Sequence, residues 1–336
     1  MNKNIIGLLL CGLFIFPLGA QEKIESFNEY NFTGPYTHKN LSVYLIAGKD
    51  KIANTNFLTL QEALEKKTAV VHETEDVNRL QVSNNSRNYN IFIIAGDIVK
   101  GGKQDRAIQY NYIVPPKTDK LSIACFCVES GRWQRRGGED VSSFRSSNDI
   151  VASKDLKMSV KKEKSQEKVW GKVSEMQDKL GSNLGGSVKG RSESSLQLTL
   201  EHEKIKKAEG EYEKQLKNIP DGKADIVGYA FVINGKINSA EVFAAKVLFQ
   251  KLWPKLIKAS IVEAIAEYNE KQNFTTPDAA QIKNFMAESE KGKNTAVNRV
   301  SGNVDVVEKE TDGTIMFETR DKKAGGQWLN KSYIKK

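Results

Sequence analysis

Apolar and polar residues alternate in short runs through the first half of the chain. "LSVYLIAG" (41–48), "TAVVHET" (68–74), "NRLQVSN" (78–84) and "YNIFIIAGD" (89–97) each put apolar side chains on one face of an extended segment, the pattern of half-buried strands. "AIQYNYIVPP" (107–116) alternates until Pro115-Pro116 stops it, and "KLSIACFCV" (120–128) follows as a central strand. One short helix interrupts them: in "FLTLQEALEKK" (57–67), Thr59 is the expected N-cap because Glu62 lies three residues on, the spacing of a capping box.

The second half has a helical period. "SKDLKMSVKKEKSQEKVWGKVSEMQDKLG" (153–181) is charge-rich with a helical tail from Gln166, and "GSNLGGSVKGRSESS" (181–195) reads as a mobile Gly/Ser loop. Ile205, Tyr212, Leu216 and Ile219 recur at helical spacing up to Pro220, supported by the i,i+4 pairs Glu203/Lys207 and Glu213/Lys217. "IVGYAFVINGKINSAEVF" (226–243) predicts a hairpin at Asn234-Gly235. The apolar helix after it carries a core stripe of Leu248, Leu252, Leu256 and Ile261, with Pro254 expected to kink or divide it. A further helix starts in "TTPDAA" (275–280), with Thr276 as N-cap and Pro277 at its first position. "VDVVEKETDGTIMFETRD" (304–321) predicts a second hairpin, and "GQWLNKSYIKK" (326–336) an edge strand. The expected class is α+β, with a largely antiparallel sheet or sandwich in the N-terminal half and helices with late hairpins in the C-terminal half. The late strands are free to rejoin the early sheet.

The amino terminus changes the picture. "MNKNIIGLLLCGLFIFPLGAQEK" has a basic start at Lys3, an apolar stretch from Ile5 to Phe16 too short to span a bilayer, and small residues ending at Ala20. This is a signal peptide with cleavage after Ala20, and it implies a periplasmic or extracellular protein. A lipid anchor at Cys11 fits less well, since Leu10 precedes it. The expected organisation is therefore signal peptide 1–20, a lead-in at 21–40, and one domain at 41–336 with a charged, Gly/Ser-rich insertion at about 153–195. No later segment is apolar enough to span a membrane.

The formal net charge is +9, from 51 Lys and Arg against 42 Asp and Glu. The two signs are interspersed, which argues against a nucleic-acid stripe. After cleavage, Cys125 and Cys127 remain, two apart in a strand, where a bridge would be strained; they read as small core residues. His38, His72 and His202 show no metal-ligand spacing, and no metal or cofactor is expected.

Two segments carry candidate chemistry. Asp97 follows a strand end, and Gly101-Gly102-Lys103-Gln104-Asp105-Arg106 forms a glycine-rich turn with two cations able to meet an anion. In "CVESGRWQRRGGED" (127–140), Glu129 sits at a strand end beside Arg132 and Trp133. If these segments converge, Lys103, Gln104, Arg106, Arg132 and Trp133 would bind a small anionic or sugar-like ligand, with Trp133 stacking on a ring. Glu129 or Asp97 would act as base if the site is a hydrolase. A third possibility is that the Glu-Arg-Trp group only fixes the fold.

"GGKQDR", the Pro-Pro-ended strand and "CVESGRW" resemble the domain family named for its association with ADP-ribosylglycohydrolases and rhodanese-phosphatases. The family pattern falls on Gly101, Lys103, Gln104 and Arg106, and on Cys127, Val128, Glu129, Gly131, Arg132 and Trp133; Asp105 stands where the family has asparagine. Phe243, Phe249 and Trp253 match the family's hairpin and following helix, and the resemblance extends over roughly residues 32 to 334. It implies a domain of unknown function whose naming associations point to ADP-ribose or nucleotide chemistry. The charged stretch Lys154 to Lys164 looks peculiar to this member.

Overall fold

The alternating runs become strands, and the way those strands close on one another was not visible in the pattern. A computed structural model of the chain describes residues 29–53, 56–270 and 273–336; the segment expected to be a signal peptide, with its expected cleavage position, lies outside them. The chain opens with β1 (Asn31–His38), β2 (Leu41–Ala47), β3 (Phe57–Thr59), α1 (Leu60–Glu65), β4 (Ala69–Glu73) and β5 (Arg79–Asn84). It continues with β6 (Asn90–Ile93), β7 (Asp97–Gly101), β8 (Arg106–Ile108), β9 (Tyr112–Val114), β10 (Thr118–Cys127) and β11 (Ser143–Ile150). A helical stretch follows: α2 (Lys154–Met158), a π-helical turn (Ser159–Glu163), α3 (Gln166–Asn183), α4 (Leu196–Leu200) and α5 (Glu203–Leu216). Then come β12 (Ile226–Ile233), β13 (Lys236–Phe243), α6 (Lys246–Ala266), α7 (Ala279–Glu290), β14 (Lys293–Arg299), β15 (Val304–Glu310), β16 (Thr314–Asp321) and β17 (Gln327–Lys335).

Three sheets result. The largest has the order β1-β2-β12-β13-β17-β16-β15-β14, so early and late strands share it. Strands β10-β5-β4-β11-β7-β8 close into a six-stranded barrel, and β3-β6-β9 form a small sheet beside it. The class is thus α+β, antiparallel in the N-terminal half except for the parallel β3–β6 pair. Closure into a barrel removes two edges that an open sheet would expose.

The barrel interior follows from pairing register, because side chains that face each other across a ladder share a face. Val71 pairs with Val82 and with Phe144, Leu80 with Ile123, Cys125 with Ile108, and Arg106 with both Cys127 and Val99. Val71, Leu80, Val82, Val99, Ile108, Ile123, Cys125 and Phe144 all belong to one buried apolar cluster. Arg106 therefore points into the same dry interior.

Helix α6 packs on the large sheet. Tyr229 of β12 meets the Trp253 ring edge-on at 5.5 Å, and Leu248, Leu252, Leu256 and Ile261 are all buried. The helix also carries Lys255 and Lys258 to Asp97 and Asp149 of the barrel strands β7 and β11, tying barrel to sheet. No described helix is long and apolar enough to cross a membrane.

Several local expectations are corrected. Pro254 does not divide α6: the helix runs unbroken through it, because the buried neighbours Trp253 and Leu256 hold the flanking turns in the core against the loss of one backbone bond. The cap of α7 is Asp278 rather than Thr276: Asp278 Oδ1 accepts from Gln281 N at 2.8 Å and Gln281 Oε1 accepts from Asp278 N at 2.9 Å, while the Thr276 hydroxyl lies 3.3 Å from that of Ser42. Strand β17 is not an edge but lies between β13 and β16, and β14 takes the edge. Part of the lead-in is strand β1. The run 107–116 is shared between two sheets, with Ile108 in the barrel and Tyr112–Val114 in the small sheet. Thr59 and Glu62 do form the capping box of α1.

Leu256→Ala opens a cavity between α6 and the large sheet and should lower stability by about 3 kcal/mol, read as a lower denaturant midpoint at unchanged slope.

Candidate functional site

The two motif segments meet at one mouth of the barrel. Strands β4, β7 and β10 end there and β8 begins there, which places Glu73, Gly101, Cys127 and Arg106 around the opening. Gly102 makes the turn possible. At φ +54° it has left-handed backbone, and a Cβ on it would fall 2.3 Å from the Phe144 ring and 2.7 Å from Glu73 Oε2, so only glycine fits. The next amide, Lys103 N, donates to Glu73 Oε2 at 3.0 Å.

Two carboxylates, Asp105 and Glu129, lie fully buried here, and two guanidiniums from the 128–142 loop hold them. Arg136 grips Asp105 with both ends of its fork, Nη1 to Oδ2 at 2.9 Å and Nη2 to Oδ1 at 3.0 Å. Its Nη1 also reaches Glu129 Oε1 at 3.2 Å, and Nη2 reaches Glu139 Oε1 at 3.0 Å. Arg132 donates from Nε to Glu129 Oε2 at 2.7 Å, and from Nη1 and Nη2 to the Gly102 and Gly101 carbonyls at 3.1 and 3.3 Å. Asp105 N adds a bond to Glu129 Oε2 at 3.3 Å. Burial raises the Asp105 carboxyl above its ordinary range, with Arg136 pulling against it. Burial also works against the Arg136 charge, but Asp105 and Glu139 outweigh it and raise that group.

The long charged insertion helps build this site. Ser195, the N-cap of α4, donates to Asp105 Oδ2 at 3.2 Å, and Ser194 Oγ donates to the Ser130 carbonyl at 2.6 Å. Gln166, the first residue of α3, accepts from Cys127 N at 2.9 Å and donates to Cys127 O at 2.8 Å, extending the edge of β10 with a side-chain amide. Cys127 donates its thiol to Gln104 Oε1 at 3.0 Å, while Gln104 Nε2 donates to the Glu129 carbonyl at 2.8 Å. Both cysteines are free and buried; burial pushes the Cys127 thiol up to about 11, with Arg106 opposing.

Arg106 differs from the other two arginines. It is 0% exposed, and its Nη1 donates to the Gln104 carbonyl at 2.7 Å. Its Nε and Nη2 have no hydrogen-bond partner among the described residues. The nearest carboxylate, Glu73, lies 3.7 Å from Nη2, beyond hydrogen-bond reach, with its own oxygens taken by the amides of Thr74, Glu75 and Lys103. Nε and Nη2 form the side-on edge of a guanidinium, the edge that takes carboxylate or phosphate in a bidentate grip. Trp133 lies beside it, its ring centroid 5.8 Å from Arg106 Cζ and 5.2 Å from Lys103 Nζ, and it stays 43% exposed.

Of the residues singled out in the sequence, Lys103, Gln104, Arg106, Glu129, Arg132 and Trp133 thus converge. Asp97 does not. It sits four residues back along β7, roughly 13 Å away at strand rise, and is paired at that opposite end with Lys255 at 2.7 Å. Burial raises its carboxyl and Lys255 opposes. Sequence reasoning missed Arg136, Glu73, Asp105 as its partner, Glu139 and Ser195. Only Arg136, inside the Arg-rich stretch, left a signal, and nothing local separates it from Arg135.

Arg136→Ala takes the bidentate partner from buried Asp105 and should destabilise the protein by about 3 kcal/mol. Arg135→Ala removes an exposed side chain that donates to the Gly137 carbonyl and should change stability by less than about 0.5 kcal/mol, both read by chemical denaturation.

No curated protein and no solved structure matches the chain. A family model, the ARG and Rhodanese-Phosphatase-superfamily-associated Protein domain (ARPP-1), matches residues 29–333, a span that takes in the barrel with its mouth, α6 and nearly all of the large sheet. The chain belongs to the ARPP-1 domain family.

Proposed function

We propose that this is an exported binding protein whose barrel mouth takes a small anionic, sugar-like ligand. The observation that carries the reading is Arg106. A guanidinium with two donors unsatisfied in a dry barrel is unfavourable by itself. An oxyanion lying across Nε and Nη2 would satisfy both donors at once. Trp133 offers a half-exposed ring for a sugar or base face, and Lys103 adds a second cation at the rim. The remaining groups act as frame: Arg132 and Arg136 hold Asp105 and Glu129, which fixes the loops around the opening.

A hydrolytic role for Glu129 is less well supported. Glu129 is fully buried, with both oxygens held by guanidiniums, so water has no open approach to it, and Asp97 is at the far end of the barrel. Binding without turnover is the reading that fits.

Titration with inorganic phosphate, ribose 5-phosphate and ADP-ribose tests it. At least one should bind saturably and raise the melting temperature with concentration. Trp133→Ala, at an exposed position, should fold normally and weaken that binding about tenfold, in keeping with the loss of one stacking contact. Arg106→Lys, which keeps the charge and loses the fork, should weaken it at least as much. Absence of binding by every probe, or equal affinity in both variants, would remove the reading. Export is a separate part of the proposal, supported by the apolar stretch after Lys3; sequencing the amino terminus of protein recovered outside the cytoplasm should give Gln21 as first residue.

A further inference from the structure

A second cleft, sharing no residue with the barrel mouth, lies where α3, the start of α2, the β12–β13 turn and the end of α6 meet. It encloses about 430 Å³, within the range of small-molecule pockets. Glu263 of α6 forms part of its lining and is only 4% exposed. One oxygen of this carboxyl is clamped from two sides: Oε1 accepts from Lys154 N and from Asn238 Nδ2, both at 2.8 Å. The clamp depends on Ser153, whose φ of +73° is one that L residues avoid and which delivers the Lys154 amide to the carboxyl. The other oxygen, Oε2, is buried with no partner among the described residues.

A second residue of the same lining carries an oxygen in the same condition. Asn234, at φ +50° in the hairpin turn, donates its Nδ2 to the Glu267 carbonyl at 2.7 Å. That bond fixes the amide orientation, and the buried Oδ1 is left without a donor among the described residues. Two fixed acceptors that lack donors call for a ligand that brings donors.

Charge narrows the choice. Four lysines and four acids line the cleft, and pairs such as Lys172–Glu175 at 2.8 Å and Lys179–Glu267 at 2.5 Å neutralise much of it. A cation would meet Lys154 and Lys236, and an anion would meet Glu263. Burial raises the Glu263 carboxyl above its ordinary range, with Lys157 opposing. A hydroxyl answers that group in either state, since it both donates and accepts.

We propose that this cleft is a second binding site, for a neutral polyhydroxylated molecule of mono- or disaccharide size whose hydroxyls bond Glu263 Oε2 and Asn234 Oδ1. Calorimetric titration of the purified chain with glucose, galactose, N-acetylglucosamine and maltose, and with putrescine and inorganic phosphate for comparison, is the test. At least one sugar should bind saturably. Asn234→Gly keeps the turn and removes the acceptor, and should weaken that sugar at least tenfold. Glu263→Gln should do the same, because the clamp holds the Gln oxygen and turns its NH₂ toward the ligand; if this variant fails to fold, Asn234→Gly decides alone. Trp133→Ala should leave sugar affinity unchanged, which separates this site from the barrel mouth. No sugar binding, sugar binding that survives Asn234→Gly, or saturable putrescine or phosphate binding that Asn234→Gly abolishes would each overturn the proposal.

Discussion

A charge enclosed by a closed barrel must find its partners inside the protein, and this constraint shapes one whole end of the molecule. Ladder register turns Arg106 inward beside Cys127, and Glu73 stands within 3.7 Å of it. Around them, Asp105 and Glu129 are fully buried. Carboxylates in such a place are tolerated only when donors surround them, so the chain supplies Arg132, Arg136, Ser195 and the amides of Gly101 and Asp105. The 128–142 loop has no regular structure; its path is set by where two guanidiniums have to be.

The other end of the barrel meets the same constraint in a different way. There α6 delivers Lys255 and Lys258 to Asp97 and Asp149. One helix therefore serves two purposes: it fills the apolar face of the large sheet and neutralises two acids of the barrel. Removing either member of such a pair leaves a buried charge uncompensated, which locks the relative position of barrel and sheet more tightly than apolar packing alone would. The π-helical turn at Ser159–Glu163 adds a third link, since Lys161 reaches Ser332 of β17 at 3.2 Å.

The site and the scaffold are thus the same set of interactions seen from two sides. Most groups around the barrel mouth are held by several hydrogen bonds and form the frame, while Arg106 at the mouth and Glu263 and Asn234 in the second cleft are among the buried groups left incomplete among the described residues, and the two proposed sites rest on them. That distinction depends on counting donors and acceptors in space. Composition alone does not make it: Arg106, Arg132 and Arg136 are one residue type in three different situations.

Local patterns were enough for the elements whose reasons are local. The capping box at Thr59 and Glu62, the hairpin at Asn234-Gly235 and the apolar stripe of α6 follow from backbone sterics and from helix and strand periodicity, which act within a few residues. The family motifs likewise named most of the barrel-mouth residues, because glycines at a turn and arginines beside a strand end are unusual enough to stand out. What the chain alone did not reveal was long-range. Closure of the barrel, the interior place of β17, the separation of Asp97 from Glu129 and the roles of Glu73 and Ser195 all depend on which strands pair. Pairing is chosen by the summed burial and hydrogen bonding of segments tens to hundreds of residues apart, and no window of sequence holds both partners.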